Sequence, residues 1–278
     1  MRHRSGAATV MTEDLALVSE AFSRKALEYD AFLLDHVNLA RMRQKVYDHV
    51  LTYLHPADRI LELNAGTGTD AVFFARRGFH VHATDLSPGM IAQIEDKVVR
   101  YELGHRLTVQ QCSFTDLDSI APGPYQHVLS NFGGLNCIPD LRPIARALPA
   151  LVSPGAVVTW VIMPRVCLWE LALIFRGQWR TALRRQSRGG VLANVAGVRF
   201  RTYYFAPRQA VSSLGPSFRP FKLVGLSVFT PPADRKGFAK RHPRLYRSLV
   251  HLDDWLSPLP PFRGWGDFYI LSMRYDPQ

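Results

Sequence analysis

The chain has 278 residues, of which 47% are hydrophobic and 21% charged, and it carries a formal net charge of +11. This composition is that of an ordinary soluble globular protein, long enough for one large domain or for a domain with an insertion. No apolar run approaches the ~18 residues of a membrane span, and the basic N-terminus lacks the apolar core of a signal peptide.

Strand and helix patterns alternate along the first part of the chain. Residues 1–15 are expected to form a tail, and residues 19–54 to be helical because apolar side chains repeat there at helical spacing. Five short apolar runs predict strands at 59–63, 79–85, 106–111, 126–131 and 156–163. Helical patterns separate them at 70–77, 88–101 and 141–152. The alternation predicts an α/β fold with a mostly parallel sheet and helices on both faces.

The alternation ends after Met163. The later patterns predict an amphipathic helix at 168–188, two strands with a turn near Gly197, a strand at 221–229, a helix at 244–256 and a final strand at 267–275. The sheet then has about seven strands, and residues 165–220 form an insertion near the carboxyl ends of the central strands, where such sheets bind ligands. Four parts are expected: tail and cap helices (1–55), a cofactor-binding core (56–164), a lid insertion of a helix and a β-hairpin (165–220), and a part that completes the sheet (221–278).

The stretch ILELNAGTGTDAVFFARRG, residues 60–78, is typical of a strand, a glycine turn and a helix. Gly66 and Gly68 let the backbone approach a ligand closely, and the helix presents free N–H groups. Glu62 lies within the strand, and Asp85 ends the next strand. Together these features predict a nucleotide site, although the glycines alone also fit a dinucleotide fingerprint.

These segments resemble the class I S-adenosylmethionine (SAM)-dependent methyltransferases. ELNAGTG (62–68) is similar to the first motif of the family, ATDLSPGM (83–90) to its second, and SNFGGLN (130–136) falls where its fourth-strand motif lies. The resemblance covers about residues 20–164 and the last two strands, and leaves the insertion out. It implies a Rossmann-like seven-stranded sheet with an antiparallel final strand, and SAM as the cofactor.

The resemblance also implies roles for individual residues. Glu62 would help to hold the ammonium group of SAM, Asp85 would bind the ribose diol, and Leu86 and Met90 would border the adenine. Tyr29 resembles a family tyrosine that closes over the cofactor, with packing between helices as the alternative. Asp70 is assigned to the start of its helix. The complete set of predicted cofactor-binding residues is Tyr29, Glu62, Asn64, Ala65, Gly66, Gly68, Asp85, Leu86, Met90, Ser113, Phe114 and Asn131.

The chain departs from the family pattern at three places. Asn64 replaces the usual first glycine, and asparagine tolerates positive φ better than most residues. Ser113 replaces the usual acid of the third motif, which leaves adenine recognition to the backbone near Ser113 and Phe114. Asn131-Phe132-Gly133 stands where many amino-methylating nucleic-acid enzymes have a DPPY or NPPY motif, and this argues against a nucleic-acid substrate.

Methyl transfer is an in-line displacement, for which alignment alone can supply about 7–11 kcal/mol. A phenol or enol acceptor also needs a base. The candidate bases are His36, Glu170 and His251, each with a structural or exposed role as the alternative, and no metal-ligand cluster is evident. We predict a small-molecule methyltransferase. The alternatives are an RNA methyltransferase, an NAD(P)-dependent oxidoreductase and a non-catalytic nucleotide-binding module.

The insertion is the main guide to the substrate. Its predicted helix has an apolar stripe and an opposite row of arginines at 176, 180, 184 and 188. This pattern fits a packed lid with a solvated face, a basic lid that attracts an anionic or amphipathic substrate, or a helix lying on anionic lipid. The predicted substrate-lid residues are Phe132, Trp169, Arg201 and Tyr203. The aromatic area of Trp169, Trp179, Tyr203 and Tyr204 suits an apolar or aromatic substrate, with an aromatic core as the alternative.

The cysteines bear on where the protein works. Cys112, Cys137 and Cys167 have neither disulfide-framework nor metal-binding spacing, so they are interpreted as small buried side chains and a reducing cytoplasm is expected. The sequence leaves open the substrate's identity, the methylated atom and the oligomeric state.

Overall fold

The structure, a computed structural model, describes residues 2–33, 36–121 and 123–277. Its strands are β1 (Arg59–Leu63), β2 (His80–Asp85), β3 (Leu107–Gln111), β4 (Tyr125–Ser130), β5 (Val152–Ile162), β6 (Val191–Val195), β7 (Val198–Thr202), β8 (Phe218–Leu226) and β9 (Phe268–Tyr275). Its α-helices are α1 (Arg2–Leu33), α2 (Val37–Leu51), α3 (Thr69–Ala75), α4 (Pro88–Arg100), α5 (Arg142–Ala147), α6 (Leu168–Leu171), α7 (Trp179–Ala182), α8 (Pro207–Ser213), α9 (Phe238–Arg241) and α10 (Pro243–Leu256).

Seven strands form one sheet in the order β3-β2-β1-β4-β5-β9-β8. Strands β1 to β5 pair in parallel, and β9 runs antiparallel to both β5 and β8. The predicted mostly parallel sheet with an antiparallel final strand is confirmed. Because β1 lies between β2 and β4, the loops that follow these three strands meet at one edge of the sheet.

Helices cover both faces of the sheet. Alternate residues of β4 and β5 enter different hydrophobic clusters, with Val128 and Trp160 on one face and Leu129 and Val161 on the other. Helices α5 and α8 contribute to the first cluster, and α2, α3 and α4 contribute to the second. Burial on both faces explains why β1 and residues 156–162 of β5 are nearly continuous apolar runs in the sequence.

The N-terminal segment corrects one expectation. Residues 2–15 belong to helix α1, which continues to Leu33, so they are not a tail. From Leu15 onward this helix has buried residues, among them Val18, Ala21 and Ala26. The predicted helical region 19–54 is therefore two helices, and α2 begins after His36, whose side chain accepts a hydrogen bond from the Leu39 N–H group.

The predicted continuous helix at 168–188 is wrong. The segment forms α6, a 3₁₀ turn (Ala172–Arg176), α7 and a second 3₁₀ turn (Arg184–Gln186). Gly177 adopts φ 72°; its N–H group bonds to Ile174 O, and the N–H group of Gln178 bonds to Leu173 O. This is the Schellman arrangement, in which a left-handed glycine ends a helix.

The hairpin formed by β6 and β7 packs on α1. Its turn has Ala196 at φ 50° and Gly197 at φ 83°, a pair of positive values typical of two-residue hairpins. The Phe200 ring lies 5.9 Å from the Phe22 ring, centroid to centroid. The insertion is thereby packed against the N-terminal helix. No helix in the described ranges has the length and apolar character that crossing a bilayer requires.

Candidate active site

The glycine turn after β1 has a backbone that few residue types adopt. Asn64, Gly66 and Gly68 have φ values of 50°, 58° and 76°. The positive φ at Asn64 is the conformation expected for the residue that replaces the first glycine of the motif. A Cβ atom on Gly66 would have no neighbour within 4 Å, so this glycine faces open space and a ligand can reach its backbone.

The side chain of Asn64 joins the turn to the end of β4. Its Oδ1 atom accepts a hydrogen bond from Ser130 Oγ at 2.6 Å, and its Nδ2 atom donates to Asn131 O at 3.2 Å. A glycine at position 64 would lack both bonds. The asparagine that replaces the family glycine therefore links the end of β1 to the end of β4, and both strand ends border the same cleft.

Asp85 ends β2 and lies beside the turn, as predicted. Its Oδ2 atom accepts the Gly66 N–H group and its Oδ1 atom the Ser87 N–H group, both at 2.9 Å. Burial raises the Asp85 pKa, and these backbone hydrogen bonds offset part of that rise. Each carboxylate oxygen has a second lone pair, so Asp85 can accept further hydrogen bonds from a ribose diol.

Glu62 is a buried carboxyl group with one unsatisfied oxygen. It is 1% exposed, and its Oε2 atom has no hydrogen-bond partner among the described residues. Burial and the nearby charge of Asp70 raise the Glu62 pKa well above its ordinary value, against the opposing effect of Arg43. An unpartnered buried carboxyl is costly, and a ligand ammonium group would satisfy it. The residues present therefore fit SAM.

Asp70 does more than start its helix. Its Oδ1 atom accepts a hydrogen bond from Tyr47 OH at 2.6 Å and pairs with Arg43, and its Oδ2 atom accepts Asn131 Nδ2 at 2.8 Å. Asn131, predicted to touch the cofactor, is thus also held by α3. Arg43 and Tyr47 were not predicted; their four-residue spacing places them on one face of α2 and is the only sequence signal for them.

Helix α1 is fastened across the turn. The Asp30 carboxylate accepts a hydrogen bond from Thr67 Oγ1 at 2.6 Å and pairs with Lys97 Nζ at 2.6 Å. Lys97 also donates to Thr67 O at 2.8 Å. Nearer its start, α1 contacts the loop after β2, where Ser23 Oγ accepts the Gly89 N–H group at 3.3 Å. These contacts place α1 over the loops that follow β1 and β2.

A cleft of about 670 Å³, open to solvent, lies between α1 and the sheet edge. Nine predicted residues line it: Tyr29, Asn64, Gly66, Asp85, Leu86, Met90, Phe114, Asn131 and Phe132. Glu62, Ala65, Gly68 and Ser113 are outside the lining, and the Ser113 hydroxyl lies 2.7 Å from Thr115 Oγ1.

Sequence reasoning missed seven lining residues. They are Leu15, Val18, Phe22, Ser87, Gly133, Gly134 and Cys137. The first three, with Tyr29, lie at helical spacing on α1, and this spacing was the available signal. They make the α1 wall of the cleft apolar.

Three of the four predicted lid residues do not line this cleft. Phe132 does, whereas Trp169 donates to Phe229 O at 2.8 Å and packs on Phe238. Arg201 donates to Gly189 O at 2.9 Å, and the Tyr203 N–H group bonds to Asn136 O at 2.7 Å. Trp169, Arg201 and Tyr203 thus bond within and beside the insertion.

None of the three candidate bases lines the cleft. His36 Nδ1 accepts the Leu39 N–H group and Nε2 lies 2.6 Å from Ala233 O, so both ring nitrogens are engaged. Glu170 bonds to Arg184 and Arg185; burial favours its neutral form, but the two arginines outweigh this effect and lower the Glu170 pKa. His251 is exposed on α10. No group of three or more metal-ligating side chains occurs in the described ranges.

Comparison with known proteins agrees with this geometry. Residues 60–155 match the family model described as a methyltransferase domain. No curated protein sequence shows significant similarity to the chain. Similar solved structures include 1,6-didemethyltoxoflavin-N1-methyltransferase from Burkholderia thailandensis, with bound 1,6-didemethyltoxoflavin and S-adenosylhomocysteine; it has 17% identity, a TM-score of 0.57, and coverage of 96% of this chain and 90% of that one.

Two further structures show how widely this fold is used. Geranyl diphosphate C-methyltransferase from Streptomyces coelicolor A3(2), with Mg²⁺, geranyl diphosphate and S-adenosyl-L-homocysteine, has 12% identity, a TM-score of 0.55, and coverage of 86% and 81%. The [4+2]-cyclase SpnF has 15% identity, a TM-score of 0.53, and coverage of 84% and 81%. At such identities the likeness is one of fold. The match over residues 60–155, together with the strand order and the antiparallel β9, shows that the chain contains a methyltransferase domain with the Rossmann-like fold of the SAM-dependent methyltransferases.

Proposed function

We propose that the chain transfers the methyl group of SAM to a small molecule that is apolar or aromatic over much of its surface. One observation carries this proposal: a single cleft has a polar end at Asn64, Gly66 and Asp85 and an apolar wall from α1, Phe114 and Phe132. The polar end suits the cofactor. The apolar wall suits an uncharged or planar substrate body.

The cofactor end has a partner for each part of SAM. The unsatisfied carboxyl of Glu62 would pair with the ammonium group, and Asp85 would accept the ribose hydroxyls. Leu86, Met90 and Phe114 would border the adenine. Bound SAM supplies an activated methyl group on a sulfonium. The chain's own task is to hold the acceptor in line with it and to exclude water.

The cleft lining restricts the acceptor. Its ionisable residues, within the described ranges, are Tyr29, Asp85 and Cys137. Burial raises the pKa of Tyr29, and burial followed by the charge of Asp85 raises the pKa of Cys137 to about 12. Both groups are therefore protonated near neutral pH, and Asp85 is assigned to the ribose hydroxyls of SAM. We infer that the acceptor atom is nucleophilic without an enzymic base, as a ring nitrogen or an acidic hydroxyl is.

The similar structures support a small-molecule substrate, because two of them contain one: a toxoflavin precursor and geranyl diphosphate. A second candidate function is catalysis without methyl transfer, favoured by the cyclase of the same fold. An RNA substrate, an oxidoreductase reaction and a non-catalytic role remain as further outcomes of the test.

Transfer of label from methyl-labelled SAM tests the proposal. The protein would be incubated with separate metabolite, RNA and protein fractions of a cell extract, and with planar phenols and nitrogen heterocycles. We expect label in the small-molecule fraction, and much less label with Asp85→Ala when the SAM concentration is below saturation. Label in RNA would overturn the substrate class. SAM binding by calorimetry without any label transfer would favour the cyclase-like or non-catalytic alternatives.

A further inference from the structure

The net charge of the chain is concentrated in one segment. Residues 171–250 contain 16 Lys and Arg residues and a single acid, Asp234. The rest of the chain contains 18 basic and 22 acidic residues. The segment thus carries +15, and the remainder carries −4. Basic residues concentrated in this way attract anionic partners to the surfaces that the segment exposes.

Three large apolar side chains project from this basic segment. Phe175 is 94% exposed, Trp179 58% and Leu183 46%. The sequence leaves open whether the apolar stripe packs on the fold or meets substrate or lipid, and the Schellman turn at Gly177 ends the first helical turn and reorients the next. We call residues 172–188 the basic knob. Exposed aromatic and aliphatic side chains so close together in the sequence are consistent with an interaction surface.

Exposed arginines flank these apolar side chains. Arg176, Arg180 and Arg188 are exposed and, among the described residues, have no hydrogen-bond or ion-pair partner. Their charge is therefore available to a partner outside the chain. No acidic residue lies between Glu170 and Asp234 in the sequence to neutralise it locally.

The basic knob is firmly attached to the fold. Arg185 is 4% exposed, and its guanidinium pairs with Glu170 and Asp267 and donates to Asp267 O at 3.0 Å. Arg184 makes two hydrogen bonds to Glu170, and Gln186 donates to Arg165 O at 2.7 Å. Because these bonds hold the basic knob in place on the fold, its apolar side chains are held in their exposed positions.

The basic knob lies at the cofactor end of the sheet. It follows β5, and α9 follows β8, so both emerge from the carboxyl edge that carries the cleft. Trp169, just before the basic knob, packs edge-on against Phe238 of α9 at 5.3 Å. This contact joins the basic knob to the basic side chains of α9 and α10, among them Arg241, Arg244 and Arg247.

We propose that this face docks on an anionic lipid bilayer, with Phe175, Trp179 and Leu183 entering the headgroup boundary and the arginines contacting lipid phosphates. A bilayer surface matches both features, since it offers an apolar layer beneath a layer of negative charge. A nucleic acid offers phosphates and base faces but no apolar environment for Leu183. The docking is independent of the proposed methyl acceptor.

Vesicle flotation tests the docking. We expect the protein to bind phosphatidylcholine–phosphatidylglycerol vesicles and not phosphatidylcholine alone, with binding lost at high salt because screening shortens the reach of exposed charge. The triple variant Phe175→Ser, Trp179→Ser, Leu183→Ser should weaken binding at least about tenfold, since each contributes buried apolar area. The variant Arg176→Gln, Arg180→Gln, Arg188→Gln should also weaken binding and should reduce its salt dependence.

Matched controls lie on α4. Val99 is 79% exposed and Arg100 is also exposed, so Val99→Ser and Arg100→Gln change the same residue types outside the basic segment and should leave binding intact. A blue shift of tryptophan emission on vesicles, absent in Trp179→Phe, would place that ring in the bilayer. SAM calorimetry on each variant reports whether the fold is kept. Equal binding to neutral vesicles, no binding to anionic ones, or tighter binding to RNA that the same variants abolish would overturn the proposal.

Discussion

Gly134 and Asn64 fit together only because position 134 has no side chain. A Cβ atom on Gly134 would lie 2.2 Å from Asn64 Cγ and 2.3 Å from its Nδ2 atom. The Asn64 side chain cannot turn aside without breaking its bonds to Ser130 and Asn131. The asparagine that replaces the family glycine in the turn is therefore accommodated by a glycine at the end of the neighbouring strand.

Gly134→Ala should destabilise the protein by about 1–3 kcal/mol, the usual cost of overpacking a closed site. Asn64→Gly in the same chain should recover most of that loss, because it removes the clashing atoms. Thermal unfolding of the two single variants and the double variant gives the coupling energy. Additive effects, with no recovery in the double variant, would show that the two residues do not constrain each other.

Asp85→Ala should weaken SAM binding by about tenfold or more. The change removes two charge-assisted hydrogen bonds to ribose, worth roughly 1.5–3 kcal/mol each before water replaces them. It also frees the Gly66 N–H group, which Asp85 holds in the structure. Asp85→Asn keeps acceptor capacity and should lie between wild type and Asp85→Ala. Calorimetry with SAM and with NAD measures this; unchanged SAM affinity in Asp85→Ala, or binding of NAD in place of SAM, would refute the assignment.

Glu62→Gln should stabilise the cofactor-free protein at neutral pH while weakening its binding of SAM. The folded-state pKa of Glu62 is raised by burial and by Asp70. The folded state therefore holds a proton that the unfolded state releases above about pH 4.3, and stability falls as pH rises from there towards the folded pKa. The glutamine variant does not show this pH-dependent loss of stability. It also has no negative charge to pair with the ammonium group of SAM.

Thermal unfolding from pH 5 to pH 8 and SAM calorimetry test both halves of the Glu62 prediction. Glu95→Gln is the control, because Glu95 is exposed on α4. A glutamine variant that is less stable than wild type at pH 8, or that binds SAM equally well, would contradict it.

His127 and His49 should make the protein sensitive to acid. His127 is fully buried, and neither ring nitrogen has a partner among the described residues. Burial, and then the charge of His49, lowers its pKa to about 3, and burial with Lys222 lowers that of His49 to about 4. Each neutral histidine contributes its full stabilisation of the folded state above the unfolded-state pKa of 6.5. This contribution to the free energy of unfolding declines by about 1.4 kcal/mol per pH unit as the pH falls towards the folded-state pKa.

His127→Leu should flatten the loss of stability between pH 6.5 and pH 4, as measured by denaturant unfolding at fixed temperature. Glu62 acts in the opposite direction over part of this range, so the comparison is best made in the Glu62→Gln background. His55→Gln is the control, since His55 is exposed. An unchanged pH profile in His127→Leu would rule out His127 as a source of acid sensitivity.

We further propose that residues 165–220 act as a lid, and trypsin can test it. The exposed Arg176, Arg180 and Arg188 should be cut first, and the buried Arg185 should resist. SAM together with the acceptor should slow these cuts, because the hairpin packs on α1 and α1 lines the cleft. Cleavage at Arg100, exposed on α4 outside the segment, should not change. Equal rates with and without both ligands would argue against a lid.

Local patterns were enough for the sheet and for placing the central residues of the candidate site together. Strand β1 and residues 156–162 of β5 are nearly continuous apolar runs because both faces of the sheet are buried there, and the sequence shows this directly. The proximity of Glu62 and Asp85 could be predicted from the sequence, because neighbouring parallel strands have their carboxyl ends at the same edge of the sheet. Asn64 could be assigned a positive φ, because that preference belongs to the residue itself.

Contacts between distant segments were decided only by the tertiary structure. Asp70 could be read as a helix start, but its bonds to Tyr47 and Asn131 depend on how α2 and β4 pack around α3. The helical spacing of apolar residues at 168–188 predicts an apolar stripe. Which of these side chains are buried depends on where Gly177 ends the first helical turn and on which part of the fold lies beneath the segment. Phe175 is exposed for that reason: periodicity states which residues share a face, and only packing determines whether that face has a partner.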